Sequence, residues 1–177
     1  METFCSSCGE RVNVARRGYE LFLNDVPKEI FARINTIGVT NVNSLYICSP
    51  FLAPFKNQEW NSIITEIAKK KDFHLITLPY DQWQKETARV MEFYVRTGAE
   101  MHFVRNLHAK MYLIGAGSQS FAVFGSPNFT NQASKNVELG IFVTDQDEYY
   151  NFERTFWRLV EKKEGWKQEI NGMWKKL

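Results

Sequence analysis

The order of apolar segments along the chain is the feature that most restricts its possible folds. Short apolar runs of strand length alternate with longer segments whose apolar residues recur at helical spacing. A buried strand predicted at residues 44–48 is followed by a helix at 58–71 and a second strand at 73–78. Because strands and helices that alternate in this way pack as layers, we expect a mixed α/β fold.

The remaining segments extend this pattern to a mixed sheet flanked by helices. Pro27 suits the first turn of one predicted helix, and Gly98 ends another. The chain has 177 residues, of which 44% are hydrophobic, and this is enough for one substantial core. We expect one domain over residues 13–177. Its other helices are predicted at 26–37, 83–97 and 147–161, and its other strands at 101–104, 108–114, 121–124 and 137–144.

Residues suited to phosphate chemistry are concentrated between positions 108 and 138. His108 and Lys110 are two apart on a predicted strand, so their side chains should share one face. Ser126 and Asn128 belong to the string GSPNFT that ends the next strand, and Glu138 lies on a third apolar run. A histidine, a lysine, two neutral hydrogen-bonding groups and a carboxylate are the parts needed to attack a phosphodiester without a metal.

Each of these residues also has a purely structural interpretation. His108 could be an ordinary strand histidine and Lys110 a surface lysine with a buried stem. Ser126 and Asn128 are good turn formers, and Glu138 could be an exposed strand carboxylate. The combined spacing favours the catalytic interpretation over the structural one.

The pattern HxK followed by GSPN resembles the signature of the phospholipase D superfamily, which is HxK, four residues, Asp and then GSxN. The likeness is greatest to members with one motif per chain, such as Nuc-type nucleases and the catalytic domains of BfiI-type restriction endonucleases. It implies a phospholipase D-like fold. The signature Asp should fall at Gly115 and is absent. BfiI-type enzymes also lack this acid, so the departure weakens a lipase assignment more than a nuclease assignment.

The resemblance implies a metal-independent phosphodiesterase that cleaves DNA or RNA and needs no cofactor for catalysis. His108 of one protomer would attack phosphorus, and His108 of a second would protonate the leaving oxygen. Lys110 and Asn128 would bind the non-bridging oxygens with help from Ser126, while Glu138 would hold the imidazole in its required tautomer. Because one chain carries one motif, we expect a homodimer with a composite site.

Two other function classes compete with this hypothesis. The absent Asp allows a catalytically inactive phospholipase D-like module that binds nucleic acid or assembles with other proteins. A phospholipid phosphodiesterase or transferase is the weaker alternative, because the chain has a single motif and no apolar run of membrane-spanning length. Any sequence specificity would need a protein partner, which the basic, tryptophan-bearing segment 166–177 could contact. Packing of Trp166 and Trp174 into the core is the alternative interpretation of this segment.

Composition and the N-terminus predict a cytoplasmic protein without a membrane segment. The N-terminus lacks the basic start and apolar centre of a signal peptide, and three cysteines do not suggest a disulfide framework. The net charge of +2 gives no strong electrostatic argument for nucleic acid.

Residues outside the motif carry weaker signals. In the tail at residues 1–12, Cys5 and Cys8 have the spacing of half a zinc knuckle. A structural zinc site needs four ligands, and the only other cysteine, Cys48, lies in a predicted buried strand. A loose tail with two free thiols and a remnant of a zinc ribbon are the alternatives. His74 and His102 lack any such context, and we expect them to be strand-edge residues.

Overall fold

Seven strands form one mixed sheet in the computed structural model. The structure describes residues 18–23, 25–53, 55–70, 72–82, 87–130, 133, 136–168 and 174–177. The strands of the sheet, β1 to β7, are Tyr19–Leu23, Ser44–Cys48, Asp72–Thr77, Glu100–Phe103, Met111–Gly115, Phe121–Gly125 and Leu139–Val143. The described helices, α1 to α4, are Val26–Ile37, Gln58–Lys70, Thr87–Thr97 and Gln146–Val160. A small separate sheet pairs β8 with β9, which are Trp166–Gln168 and Trp174–Lys176.

The strand order brings several chain segments together at one end of the sheet. The order is β1-β7-β6-β5-β2-β3-β4, in which β2, β3 and β4 are parallel and the other pairings are antiparallel. At this end, called the upper end below, β2 and β6 finish where β5 and β7 begin. Loops at the upper end therefore converge although they are distant in sequence.

The two faces of the sheet are covered by different helices. Helices α1 and α2 pack on one face through apolar residues at helical spacing, including Ile30, Ile34, Ile64 and Ile67. Helix α4 packs on the opposite face through Tyr149, Phe156 and Val160. The buried apolar side chains of the strands therefore divide into two cores, one on each face of the sheet.

Helix α4 begins after a capping residue, Asp145. The side chain of Asp145 accepts a hydrogen bond of 3.1 Å from the backbone N–H of Glu148, and this satisfies one donor that the first helical turn leaves free. Further along, the ring of Phe156 stacks on Tyr46 of β2 with ring centroids 5.1 Å apart. These contacts fix the start of the helix and hold its middle against the sheet.

The predicted elements are confirmed, but several boundaries were wrong. Strand β5 begins at Met111 rather than at residue 108, so His108 and Lys110 precede the strand. Gly115 ends β5 instead of opening the following turn. Strand β7 begins at Leu139, two residues later than predicted. The part of the predicted third helix at residues 83–86 lies outside the described residues.

Strands β1, β8 and β9 were not predicted. Strand β1 is a five-residue segment that pairs with β7, from Tyr19 opposite Val143 to Leu23 opposite Leu139. Its extended conformation depends on this pairing. Such long-range pairing leaves little local signal in the sequence. The two tryptophans of the C-terminal segment pack on Phe103, with ring centroids 6.0 Å away for Trp166 and 4.8 Å for Trp174.

The prediction for the two isolated histidines was wrong. His74 and His102 are buried, and their rings stack with centroids 5.2 Å apart. Buried polar groups need hydrogen-bonding partners inside the protein, and each of these two rings provides a partner for the other. The tail at residues 1–12, with Cys5 and Cys8, lies outside the described residues. Among the described helices, none is both long and apolar enough to span a lipid bilayer.

Replacing Phe156 by alanine should destabilise the protein strongly. The ring is fully buried between α4 and the sheet, so its loss leaves a cavity and should lower the free energy of unfolding by about 3–5 kcal/mol. Urea denaturation at a fixed protein concentration would measure the change. Tyr150→Ala, on the same helix but 51% exposed, should cost less than about 1 kcal/mol. Equal losses in the two variants would contradict the assigned packing.

Candidate active site

His108 and Lys110 lie in an extended segment at the upper end of the sheet. The segment leads directly into β5, whose first residue Met111 is opposite Cys48 of β2 and Phe124 of β6. The thiol of Cys48 also contacts the backbone oxygen of Ala109 at 3.8 Å. The segment is therefore held between the ends of two neighbouring strands.

The two side chains differ in their surroundings. His108 is exposed, and Lys110 is half-buried. The Lys110 ammonium donates a hydrogen bond of 3.0 Å to the backbone oxygen of His108. In the part of the chain that the structure describes, Lys110 forms no ion pair, so its positive charge is available to an anion bound at the upper end.

Ser126 is fixed by the start of β7. Its backbone N–H donates to the Leu139 oxygen at 3.0 Å, and the Leu139 N–H donates to the Ser126 hydroxyl oxygen at 3.0 Å. The Ser126 hydroxyl in turn donates to Oε2 of Glu138. Oε1 of Glu138 accepts a hydrogen bond of 3.2 Å from the Asn136 amide. This network gives the buried Glu138 carboxylate two hydrogen bonds and sets the direction of the serine hydroxyl.

Glu138 therefore makes contacts other than those predicted for it. We expected it to hold the His108 imidazole, but its oxygens are bonded to Ser126 and Asn136, and no hydrogen bond to His108 occurs among the described residues. Its neighbour Val137 is 85% exposed, and Leu139 is also exposed. The carboxylate points inward and the two apolar side chains point outward. This is the reverse of the usual arrangement, in which apolar side chains are buried and charged side chains are exposed.

The GSPNFT turn is anchored to the core by Phe129. The ring of Phe129 contacts Phe55 and Tyr112, with centroid separations of 4.9 and 5.4 Å. Its backbone N–H donates to the hydroxyl oxygen of Ser49 at 3.1 Å. Tyr112 donates a hydrogen bond to the backbone oxygen of Pro127. Because the turn is held from the β2 loop and from β5, its polar side chains are positioned before any ligand arrives.

Ser49 and Tyr112 are the positioning residues that sequence reasoning missed. Ser49 follows the predicted strand at 44–48, and Tyr112 is two residues beyond Lys110. Strand alternation could have placed Tyr112 beside the motif, but nothing in the sequence identifies Pro127 as its partner. Burial raises the pKa of Tyr112, so its hydroxyl remains a donor.

Asn128 carries an unsatisfied polar atom. Its side-chain oxygen is buried and has no hydrogen-bond partner among the described residues. Buried polar atoms are almost always paired, and leaving one unpaired costs about 1–3 kcal/mol. Within the described structure, then, this oxygen does not help to hold the turn. The residue as a whole is half-buried, so part of Asn128 faces solvent at the upper end.

The buried thiol near the site is chemically quiet. Burial raises the pKa of Cys48 to about 12, more than the nearby Lys110 ammonium lowers it. The side chain therefore remains a neutral thiol near pH 7. Since nucleophilic attack and zinc binding both use the thiolate, neither role suits Cys48.

Gly115, where the signature Asp is missing, lies far from this site. It ends β5 at the lower end of the sheet, the end opposite to His108 and Lys110. A Cβ at this position would lie 2.2 Å from the Ser44 hydroxyl oxygen and 3.1 Å from that of Tyr149. The glycine permits close packing of these hydroxyls. A carboxylate there would not reach a phosphate at the upper end.

Comparison with known proteins identifies the family. Residues 34–160 match the family model described as "Cardiolipin synthase, PLD-like domain". No curated protein matches the sequence. The chain belongs to the phospholipase D superfamily, because this family model covers most of its length.

Solved structures share the fold at low sequence identity. Nuc from Salmonella typhimurium, described as a phospholipase D family member, matches with a TM-score of 0.61 and 14% identity, over 82% of this chain and 96% of that chain. NucT from Helicobacter pylori matches with a TM-score of 0.57 and 15% identity over the same shares. TrmBL2, described as an archaeal chromatin protein with a novel mode of DNA binding, matches with a TM-score of 0.53 and 12% identity, over 85% of this chain and 55% of that chain.

Restoring the signature acid should harm the fold. We expect Gly115→Asp to lower the free energy of unfolding by about 2–4 kcal/mol, because it forces a carboxylate against Ser44 and Tyr149 in a buried position. Gly117→Asp is the matched control, since a Cβ added there would meet no atom within 4 Å and Asp is among the residues that adopt a φ of +60° with the least strain. The control should cost about 1 kcal/mol or less in urea denaturation. A Gly115→Asp variant as stable as the parent would contradict the packing described here.

Proposed function

We propose that this protein is a metal-independent phosphodiesterase that cleaves nucleic acid through a phosphohistidine intermediate. The observation that carries the proposal is that an exposed histidine, His108, and a lysine without an ion pair in the described structure, Lys110, lie in one segment at the end of the sheet where the GSPNFT turn is anchored. The resemblance of the motif to single-motif nucleases supports a nucleic acid substrate.

The proposed reaction has two displacement steps. In the first, an imidazole nitrogen of His108 attacks phosphorus, and the bond between phosphorus and the leaving oxygen breaks. His108 of a second protomer gives a proton to that oxygen. In the second step, the same histidine takes a proton from water, the resulting hydroxide attacks phosphorus, and the phosphorus–nitrogen bond breaks. The products are a free alcohol and a phosphate monoester.

Side chains of the protein supply the charge stabilisation in this mechanism. Lys110 would bind the non-bridging oxygens, where negative charge builds up as the bonds rearrange. The Asn128 amide would donate to the same oxygens. Glu138 acts as a positioning residue, because its contact with Ser126 fixes the turn that carries Asn128.

The second histidine requires a second chain, and the surface of the upper end suits such a contact. Four of the six large apolar side chains that are exposed among the described residues lie in segments that meet there: Leu23, Phe51, Val137 and Leu139. Exposed apolar groups gathered on one surface favour association. A two-fold axis at this end would bring the two copies of His108 to one phosphate.

A second candidate function is nucleic-acid binding without catalysis. The structural similarity to TrmBL2, described by its DNA binding, favours this alternative. In the sequence, the missing Asp was the argument for a catalytically inactive protein. That argument is weaker in the structure, because position 115 lies at the opposite end of the sheet from His108. A lipid substrate remains the weaker alternative, and both are outcomes that a cleavage assay distinguishes.

Cleavage of labelled single- or double-stranded DNA or RNA should continue in excess EDTA, because the protein itself supplies the charge at the phosphate. His108→Ala should reduce the rate at least a thousandfold, and Lys110→Ala by about a hundredfold or more. Lys162→Ala, an exposed lysine beyond α4, serves as the charge control and should retain the parent rate. The measurement is the rate of product formation on denaturing gels.

Folding must be followed by circular dichroism in the same EDTA samples. Activity that disappears in EDTA while the fold persists, and returns with magnesium, would contradict the proposed chemistry. Binding without cleavage of any of the four substrates would support the binding alternative. Turnover of phospholipid vesicles without nucleic-acid cleavage would support the lipid alternative.

Mixing experiments should reveal a composite site. A heterodimer of parent and His108→Ala chains has one histidine where the reaction needs two. After subunit exchange, excess His108→Ala chain should therefore suppress the parent activity, while excess Lys162→Ala chain should not. A rate that follows the parent fraction linearly, or a fully active monomer in analytical ultracentrifugation, would rule out the shared site.

A further inference from the structure

A second cluster of ionisable side chains lies between the sheet and helix α4. His74 of β3 is opposite Glu100 of β4, and His102 is two residues further along β4. The indole of Trp157 from α4 packs edge-on against His74, with ring centroids 4.8 Å apart. The cluster is separate from the candidate active site, whose residues lie in the loops at the upper end.

The donor atoms of the cluster are spaced like ligands of one metal ion. Nδ1 of His74 lies 3.0 Å from Nε2 of His102. Oε2 of Glu100 lies 3.6 Å from the His74 nitrogen, and Oε1 of Glu100 lies 3.8 Å from the His102 nitrogen. One donor atom from each of the three residues falls within 4.8 Å of the other two. Ligands about 2.0–2.1 Å from a tetrahedral zinc are about 3.3 Å from one another. One ion therefore fits between the three residues after the exposed Glu100 side chain adjusts to bring a single oxygen toward both nitrogens.

Asp72 and Tyr46 orient His74 toward the centre of this cluster. Nε2 of His74 lies 2.7 Å from the Asp72 carboxylate, so its N–H donates there and the lone pair of Nδ1 faces the other two groups. Tyr46 donates a hydrogen bond of 2.6 Å to the second oxygen of Asp72. A histidine whose far nitrogen donates to a carboxylate is the arrangement commonly found for metal ligands.

His102 is buried inside the protein, with only 2% of the residue exposed. Without a metal, Nε2 of His102 donates a hydrogen bond to Nδ1 of His74, because the N–H of His74 is directed to Asp72. Nδ1 of His102 has no hydrogen-bond partner among the described residues, so the proton can move to it and leave the Nε2 lone pair to a cation.

We propose that His74, Glu100 and His102 form a binding site for a divalent transition ion of the zinc class. Two imidazoles and one carboxylate favour such an ion over magnesium or calcium, which prefer oxygen ligands. The side chain of Glu100 is 63% exposed, which gives the ion a route from solvent and leaves room for water ligands. The bound ion would link β3 to β4 and stabilise the edge of the sheet that these two strands form.

The test is metal titration of the full chain in a Cys5→Ser/Cys8→Ser background, which removes the two N-terminal thiols. Cobalt(II) should give the visible absorption bands of a low-coordinate site at one equivalent per chain, and zinc should displace it. Zinc should also raise the thermal midpoint, whereas magnesium and calcium should not.

Glu100→Gln is the decisive variant, since an exposed side chain can be changed without disturbing the core. It should weaken cobalt binding at least tenfold and reduce the zinc-induced rise of the midpoint. Glu66→Gln, an exposed carboxylate on α2 at the opposite face, should leave both unchanged. The site is ruled out if neither cobalt nor zinc binds, or if Glu100→Gln binds both as tightly as the parent. In that case the three residues form only a hydrogen-bonded relay.

Discussion

The antiparallel pairing of β5 with both β2 and β6 is the constraint on which the rest of the structure depends. Strand β5 is buried throughout, and its neighbours fix its register from both sides. The loop after β2, the segment before β5 and the turn after β6 must therefore meet. Phe129 completes this arrangement by packing the turn into the core. Rigid packing and chemical positioning are thus provided by the same contacts.

Much of this arrangement was predictable, because the strongest signals are local. The buried runs at 44–48 and 121–124, and the helices at 26–37 and 147–161, follow from apolar periodicity and capping. Strand β1 and the exact start of β5 did not follow, because both depend on partners far away in sequence. A backbone segment that is extended but unpaired, such as that holding His108 and Lys110, has the same side-chain pattern as a strand.

The candidate site shows the same division between local and long-range information. The motif selected His108, Lys110, Ser126, Asn128 and Glu138 from the sequence, and the structure gathers their segments at one end of the sheet. It did not identify the partners of these residues. The contact of Glu138 with Ser126 joins two loops twelve residues apart, and that of Ser49 with Phe129 joins segments eighty apart. The buried pairing of His74 with His102 depends equally on strand register, which no spacing in the sequence reveals.

The family signature places His108, Lys110 and position 115 in one short stretch of sequence, but the structure places position 115 at the other end of the sheet. His108 and Lys110 lie at the upper end of the sheet, where we place the proposed reaction, whereas position 115 packs against Ser44 and Tyr149 at the other end. A change at the second location can therefore evolve together with its packing neighbours and leave the first untouched. The identity of the residue at position 115 therefore describes the packing at the lower end of the sheet and carries no information about the residues at the upper end.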